Sequence, residues 1–297
     1  MNPTPSLLTA TRLLEQTMPT TSRRILVYAA ITLGLVFAVL IGAGTFVGIA
    51  SFSDDPGFWG RIGAVVGLVT GIYLVHSFRV LRYFRLDLPH TTAMAIRAAG
   101  EPLSPGKAQF EQVSRQVADS LGDAESAFGR RRQLLDLLAE AALQQRAIAI
   151  LRHLPPALRT RIHDLLWWHS ADAILAEAVR RRAPAACGLG VAAFGSHFPQ
   201  VLRQTLIGKA FLYGLWLGAF LLLLRPVAWV DAALPTALGI WNYVFAAILT
   251  YWVKGAFLDP IVSGLLLLTL QPRLDEIDDD TLNAWRQKLP ALAQLPE

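Results

Sequence analysis

The sequence predicts an all-α, polytopic integral membrane protein with four transmembrane helices and a central helical cytoplasmic domain. Its 297 residues are 54% hydrophobic and 16% charged, whereas roughly 25% of residues are charged in soluble domains. Uncharged runs that reach the roughly 20 residues needed to cross a bilayer as a helix flank a more polar middle region. That middle region has the apolar period of helices and does not alternate with a period of two.

The first membrane-crossing element is predicted to be a hairpin. Residues 1–22 form a cytoplasmic N-terminal tail, expected to lie as a short helix on the membrane surface or to be frayed. Residues 23–85 then form transmembrane hairpin 1. Its first helix lies in the uncharged run from Ile25 to Ser53, and its second helix returns after a turn at 54–56.

Glycines at four-residue steps predict close helix packing in both hairpins. Small residues at i and i+4 form a flat stripe on one helix face, where a second helix can approach closely in lipid. The predicted helix-packing positions are Gly44, Gly48, Gly63, Gly67, Gly71, Gly214 and Gly218.

Arginines predict the orientation. Arg79, Arg82 and Arg85 follow the second helix and are expected to contact lipid headgroups. Arginine is concentrated on one side of the predicted spans. The other side has two short loops that hold Asp54, Asp55, Arg61, Arg225 and Asp231. The positive-inside rule therefore predicts a multi-pass protein of the bacterial inner membrane with the N-terminus and C-terminus in the cytoplasm.

Residues 86–208 are predicted to form the helical cytoplasmic domain. Apolar periodicity and proline positions predict helices over about 105–121, 124–151, 157–168 and 171–182. Residues 188–193 match the letters of a dinucleotide-binding G-x-G-x-x-A motif, but they lack the strand that the motif requires. We expect them to form a flexible joint or an apolar segment on the bilayer.

Two groups of residues in this domain could carry chemistry or docking. His163 and His169 are too far apart for the i, i+4 spacing of a helical metal site, unless the helix breaks at Ser170. Surface histidines are the simpler interpretation. The arginine triplets 130–132 and 180–182 form either a solvated face that contacts anionic lipid or a docking surface for an acidic partner or the acidic tail of the chain itself.

The C-terminal part is predicted to contain transmembrane hairpin 2, over residues 209–258. Residues 259–271 are apolar on all sides but too short to cross a bilayer. We expect a half-inserted helix, or the kinked continuation of the fourth span, that is buried against other membrane helices or a second copy of the chain. Residues 272–297 form an acidic cytoplasmic tail.

Two functions are compatible with these observations. The favoured one is a non-enzymatic scaffold or subunit of an inner-membrane complex, whose helical domain docks a partner. The alternative is a transporter or channel subunit with a site at Lys254, Asp259 and Pro260, where ionisable groups meet a helix break. We expect membrane lipids and other membrane or cytoplasmic subunits as partners, in a homo- or hetero-oligomer. We expect no nucleic acid, cofactor or metal, and Cys187 is the single cysteine.

Overall fold

The computed structural model describes residues 5–233 and 239–295, and these are all-helical, as predicted. Helices make up 87% of the structure, and the described residues contain no strand. The α-helices are α1 (Leu7–Gln16), α2 (Met18–Ile49), α3 (Pro56–Ser77), α4 (Arg79–Arg82), α5 (Leu88–Ala98), α6 (Lys107–Leu121), α7 (Ala124–Leu143), α8 (Pro156–Arg181), α9 (Ala186–Ser196), α10 (Phe198–Ala232), α11 (Trp241–Val253), α12 (Asp259–Leu274) and α13 (Asp279–Lys288).

Shorter helical segments of other types join several of these helices. Tyr83–Asp87 and Lys254–Leu258 are π-helices, and each lies directly before an α-helix that has a proline in its first turn. Arg146–His153 and Pro290–Gln294 are 3₁₀-helices.

The chain forms two compact units. Unit 1 contains Met1–Arg23, Tyr83–Leu212 and Asp259–Glu297, and unit 2 contains Arg24–Arg82 and Tyr213–Leu258. The N-terminal and C-terminal segments predicted as tails thus contribute helices to unit 1. Helix α1 packs against α12 and α5, and α13 packs against α9.

Four helical segments are long and apolar enough to cross a membrane: Met18–Ile49, Pro56–Ser77, Phe198–Ala232 and Trp241–Leu274. The most apolar windows of the first three are only 22%, 28% and 17% buried inside the protein, whereas that of the fourth is 78% buried. The first three therefore expose apolar surface that would be unfavourable in water.

Unit 1 is built around α12. This helix packs against α8, α1, α5 and α9, and every residue from Pro260 to Gln271 is buried. A helix that is apolar on all sides is expected where neighbours surround it. An aromatic cluster of Trp167, Phe194 and Phe198, with ring centroids 5.0–5.7 Å apart, adds a second part of the core.

The surroundings of 259–271 differ from those expected. The segment continues from α11 through the π-helix Lys254–Leu258, so it is the continuation of the fourth apolar run. Its main neighbours, however, are α8, α1, α5 and α9 of unit 1, and Gly208 in the unit 1 part of α10 also lies against Val262. The reason is that burial in a helical core satisfies an all-apolar helix as well as lipid does.

The sequence predicted two helices, over 157–168 and 171–182, where the structure has the single helix α8. It is a single 26-residue helix from Pro156 to Arg181. Ser170, expected as a possible cap, is fully buried inside it. In contrast, the predicted helix over 124–151 ends at Leu143. Gln145 there is extended, at φ −88° and ψ 134°, and a 3₁₀-helix follows.

Candidate functional site

The helix contact in unit 2 is made by four glycines of α3. Gly60, Gly63, Gly67 and Gly71 are all buried. A Cβ atom on Gly63 would collide with the Gly42 carbonyl oxygen of α2, and one on Gly67 would collide with the Ala38 carbonyl oxygen. Gly63, Gly67 and Gly71 therefore lie where the predicted stripe placed them, and their lack of a side chain permits backbone contact.

The other predicted glycines do not make such a contact within the described residues. A Cβ atom on Gly44, Gly48, Gly214 or Gly218 would meet no atom within 4 Å. On α2 the contact is made by Gly42, which the four-residue step did not select. Gly42 and Gly44 differ by about 200° around a helix, so only one of them can face α3.

The three arginines predicted to contact headgroups have different surroundings. Arg82 donates a hydrogen bond to the Tyr251 hydroxyl at 2.8 Å, and its guanidinium lies 5.5 Å from the Tyr28 ring centroid. Arg79 lies beside His76, and Arg85 is exposed. Arg82 is thus a packing residue of unit 2, whereas Arg79 and Arg85 are exposed, as a headgroup contact requires.

The π-helix Lys254–Leu258 in unit 2 accepts a hydrogen bond from a buried arginine at Gly255. Arg24, which is 5% exposed, donates from Nε to the Gly255 carbonyl oxygen at 2.7 Å. The Tyr28 ring covers Gly255 so closely that a Cβ atom there would collide with it. Arg24 thus provides a hydrogen-bond donor for the Gly255 carbonyl oxygen in the π-helix. Lys254, the first residue of the π-helix, is half-buried.

In unit 1, Asp259 lies beside a histidine. Its Oδ1 atom is 3.8 Å from His169 Nε2, and His169 Nδ1 is 3.0 Å from the Ser263 hydroxyl. His169 is buried on α8, and Pro260 is buried on α12. The polar atoms of His169 therefore join α8 to α12.

Arg131 and Asp172 form a buried ion pair in unit 1. Arg131 Nη2 donates to Asp172 Oδ2 at 2.9 Å, and Nε lies 2.7 Å from Oδ1. The guanidinium stacks 3.2 Å from the Trp168 ring centroid and 4.2 Å from that of Tyr83. This pair connects α7, α8 and the π-helix Tyr83–Asp87.

Burial changes the acidity of this cluster. Loss of hydration raises the pKa of Asp172 above its ordinary value, although Arg131 opposes the change. Burial also raises the pKa of the Tyr83 hydroxyl, and the nearby Asp172 adds to the effect. Arg131 is the middle residue of the triplet 130–132, and the sequence did not show that it is buried while its neighbours are not.

Glu177 is the centre of a second polar cluster. It is 1% exposed and accepts hydrogen bonds from Arg180, Arg181 and Gln271. Arg180 also contacts Glu101, and Arg181 Nη2 lies 2.7 Å from Asp275 Oδ1. The partners Arg180, Arg181, Gln271, Glu101 and Asp275 line a cavity of about 320 Å³. Part of the triplet 180–182 thus contacts the acidic tail of the chain itself, one of the two docking alternatives.

His163 and His169 are buried on one continuous helix, so the expectation of surface histidines was wrong, and they have different partners. His163 Nδ1 accepts a hydrogen bond from Trp167 Nε1 at 3.0 Å. Burial, with Arg159, lowers the pKa of His163. Asp164 lies 3.6 Å from Arg132. Among the described residues, no three His, Cys, Asp or Glu side chains are placed to hold a metal ion.

The G-x-G-x-x-A residues lie in α9. Gly190 is so close to Ile174 of α8 that a Cβ atom would collide with it, and Gly195 is covered in the same way by Trp285 of α13. The segment therefore serves helix packing in unit 1, and it is helical where we expected a flexible joint or a segment on the bilayer.

Comparison of the chain with protein-family models, curated proteins and solved structures finds no match.

Proposed function

We propose that the protein is a non-enzymatic scaffold or subunit of an inner-membrane complex. In this proposal the span-length helices cross the bilayer four times, the N-terminus and C-terminus are cytoplasmic, and unit 1 docks a cytoplasmic or membrane partner. The observation that carries the proposal is the exposure of apolar side chains on α2, α3 and α10. Examples are Ile41, Val69 and Leu222, which are 65%, 61% and 77% exposed. Lipid is the solvent that makes this exposure favourable.

The buried polar groups support a structural role for unit 1. Arg131 with Asp172 joins α7 to α8, His169 with Ser263 joins α8 to α12, and Gln271 with Glu177 joins the same two helices further along. Each of these groups is engaged in holding helices together. A rigid helical unit of this kind suits a docking module better than a site that must change protonation.

The proposed topology can be tested by fusing reporters to the full chain. Fusions at positions 56 and 232 should report the periplasmic side, and fusions at positions 120 and 297 should report the cytoplasmic side. The arginine asymmetry is the reason for this expectation. A cytoplasmic signal at 56 or 232 would contradict the topology.

The proposed assembly can be tested by purification from native membranes in a mild detergent. A scaffold should elute with a second protein, or with further copies of itself, at a fixed stoichiometry that survives size-exclusion chromatography. A monomer that elutes alone, after chemical cross-linking in the membrane has also given no adduct, would contradict the scaffold role.

A transporter or channel subunit is the second candidate. The observation that favours it is the π-helix at Lys254–Leu258, because π-helical turns are frequent at functional sites. Under this alternative, the protein in liposomes should conduct ions or protons, and Lys254→Met should abolish the flux. If liposomes that contain the protein show no ion or proton flux, the transporter alternative is contradicted and the scaffold role stands.

A further inference from the structure

One stretch of unit 1 is basic in its own sequence, although Asp136, Glu140 and Asp164 line a cavity together with its Arg159 and His163. From position 144 to position 163 the chain contains no aspartate or glutamate. We call this stretch the basic segment. It contains the 3₁₀-helix Arg146–His153, the turn at Pro155 and the first two turns of α8. Its arginines are Arg146, Arg152, Arg159 and Arg161.

Exposed apolar side chains lie next to these arginines. Leu158, Leu165 and Trp168 of α8 are 47%, 49% and 38% exposed. Together with Arg161, they follow each other at steps of three, four and three residues, so they form one stripe about 15 Å long on a single helix face. We call Leu158, Leu165 and Trp168 the apolar stripe. Ile150 in the preceding 3₁₀-helix is 75% exposed.

The two halves of α8 have different surroundings. Every residue from His169 to Val179 is buried in unit 1. Most of the residues from Pro156 to Trp168 are exposed or half-buried. The core of unit 1 therefore covers the second half and leaves Leu158 and Leu165 uncovered, whereas the Trp168 ring is exposed only in part because it also stacks on Arg131.

The arginines of the basic segment also differ from those of the two triplets. Arg131, Arg180 and Arg181 form ion pairs with buried carboxylates. Arg146 and Arg161 are exposed. Arg152 donates to the Leu143 carbonyl oxygen, which caps the end of α7, and it is exposed as well. The basic segment thus presents positive charge outward.

We propose that the basic segment and the apolar stripe together bind the surface of an anionic lipid bilayer. A row of leucine and tryptophan beside arginines is the composition of helices that lie in the headgroup region, where apolar groups enter the acyl boundary and cations contact acidic lipids. The positive charge of the exposed Arg146, Arg152 and Arg161 favours an anionic surface.

This inference rests on the proposed membrane location. Helices α2 and α10 continue from unit 1 into the span-length helices, so unit 1 is tethered to a bilayer and even a weak contact forms at a high effective concentration. The lipid contact would fix the orientation of unit 1 towards a partner, which the proposed scaffold role does not by itself specify.

The test uses the full chain with Cys187→Ser, reconstituted in nanodiscs, and one new cysteine at Leu165. The nanodiscs contain phosphatidylcholine alone or phosphatidylcholine with phosphatidylglycerol. Labelling by a water-soluble thiol reagent should be several-fold slower with phosphatidylglycerol, and high salt should restore the rate because it screens exposed charges. A cysteine at Ala108, which is exposed on α6, should label equally fast in both lipids.

Charge variants provide the matched control. Arg146→Gln with Arg161→Gln should remove the protection of the cysteine at position 165. Arg97→Gln with Arg115→Gln removes the same charge from exposed positions outside the basic segment and should leave the protection intact. Equal loss of protection in both double variants would overturn the specific role of the basic segment.

Three further outcomes overturn the inference, and one identifies a failure of the proposed function instead. Equal labelling in both lipids overturns an anionic-lipid contact. Protection that persists in detergent and rises with protein concentration assigns the stripe to a second copy. Protection that appears only with added cell lysate assigns it to a protein partner. A cysteine at Val69 of α3 that labels rapidly in nanodiscs means that the helices do not span, and then the proposed function fails first.

Discussion

Helix α12 and the part of α10 after Leu212 are both rich in leucine, but they have opposite surroundings. Leu265 of α12 is completely buried, whereas Leu222 of α10 is 77% exposed. Within α12, Gln271 and Ser263 form hydrogen bonds with α8, so the helix fits one position in unit 1. Hydropathy alone does not distinguish a core helix from a membrane helix. The distinction depends on which other helices pack around it.

The two units also differ in how their helices are joined. Unit 1 combines an apolar core with buried ion pairs such as Arg131–Asp172. In unit 2, α2 and α3 meet through the backbone at Gly42, Gly63 and Gly67. In the proposed membrane location, lipid would provide no hydrophobic driving force between helices, and close packing of small residues would take that role.

The largest effect is expected from breaking the buried ion pair of unit 1. Asp172→Ala leaves the Arg131 guanidinium buried without its carboxylate, which costs about 3–5 kcal/mol of folding free energy. Asp164→Ala removes the half-exposed partner of Arg132 and should cost no more than about 1 kcal/mol. Reaction of the buried Cys187 thiol during denaturant unfolding in detergent measures both. Equal losses for the two variants would mean that the buried pair does not stabilise unit 1.

A leucine truncation compares the two apolar helices directly. Leu265→Ala creates a cavity in unit 1 and should reduce the free energy of unfolding by about 2–5 kcal/mol. Leu222→Ala, at an exposed site, should change it by no more than about 0.5 kcal/mol. Urea unfolding in detergent, followed through Cys187 reactivity, reports the difference. If Leu222→Ala were the more damaging variant, the assignment of core and exposed helices would be reversed.

A glycine substitution tests the contact within unit 2. Gly67→Leu places a side chain against the backbone of Ala38 and should cost about 1–3 kcal/mol through overpacking. Gly44→Leu is the matched control, since a Cβ atom there meets nothing within 4 Å. Thermal unfolding in detergent should show a lower midpoint for Gly67→Leu only. Unchanged stability in both variants would place the glycine stripe outside the helix contact.

The smallest effect is a pH dependence of unit 1. The folded state holds the pKa of His163 below its ordinary value of 6.5, first through burial and then through Arg159. The folded unit therefore binds fewer protons than the unfolded chain, so this stabilisation is present above about pH 6.5 and is lost as the pH falls towards the folded pKa. His163→Gln, whose oxygen can still accept from Trp167, should flatten the decrease of the thermal midpoint between pH 7 and pH 5. An identical slope in the variant would exclude this histidine as the cause.

The sequence predicted the elements whose signals are local. The span-length helices and the α3 glycines are encoded by composition and by spacing along one helix. The register between two helices is not local, so the choice of Gly42 over Gly44 could not be made. For the same reason, Arg131 could not be distinguished from Arg130 and Arg132, and Ser170 could be read as a cap although it is buried inside α8.

The burial of α12 also depends on distant parts of the chain. Its neighbours are α1, α5, α8 and α9, and α1 (Leu7–Gln16) lies near the opposite end of the chain from α12 (Asp259–Leu274). An all-apolar run of this length indicates only that the helix avoids water. The alternatives of lipid, a second copy and a core of the same chain are equivalent in hydropathy.

The central claim is that α2, α3 and α10 face lipid while α12 is enclosed by unit 1, and a lipid-soluble carbene reagent tests it most directly. The unmodified protein is reconstituted in nanodiscs, the reagent is photoactivated in the acyl layer, and the labelled peptides are mapped by mass spectrometry. Labels should fall on exposed apolar residues such as Ile41, Val69 and Leu222, and peptides from Ile261 to Leu270 should remain unlabelled. Labelling of the α12 peptides at the level of the α10 peptides would contradict the claim.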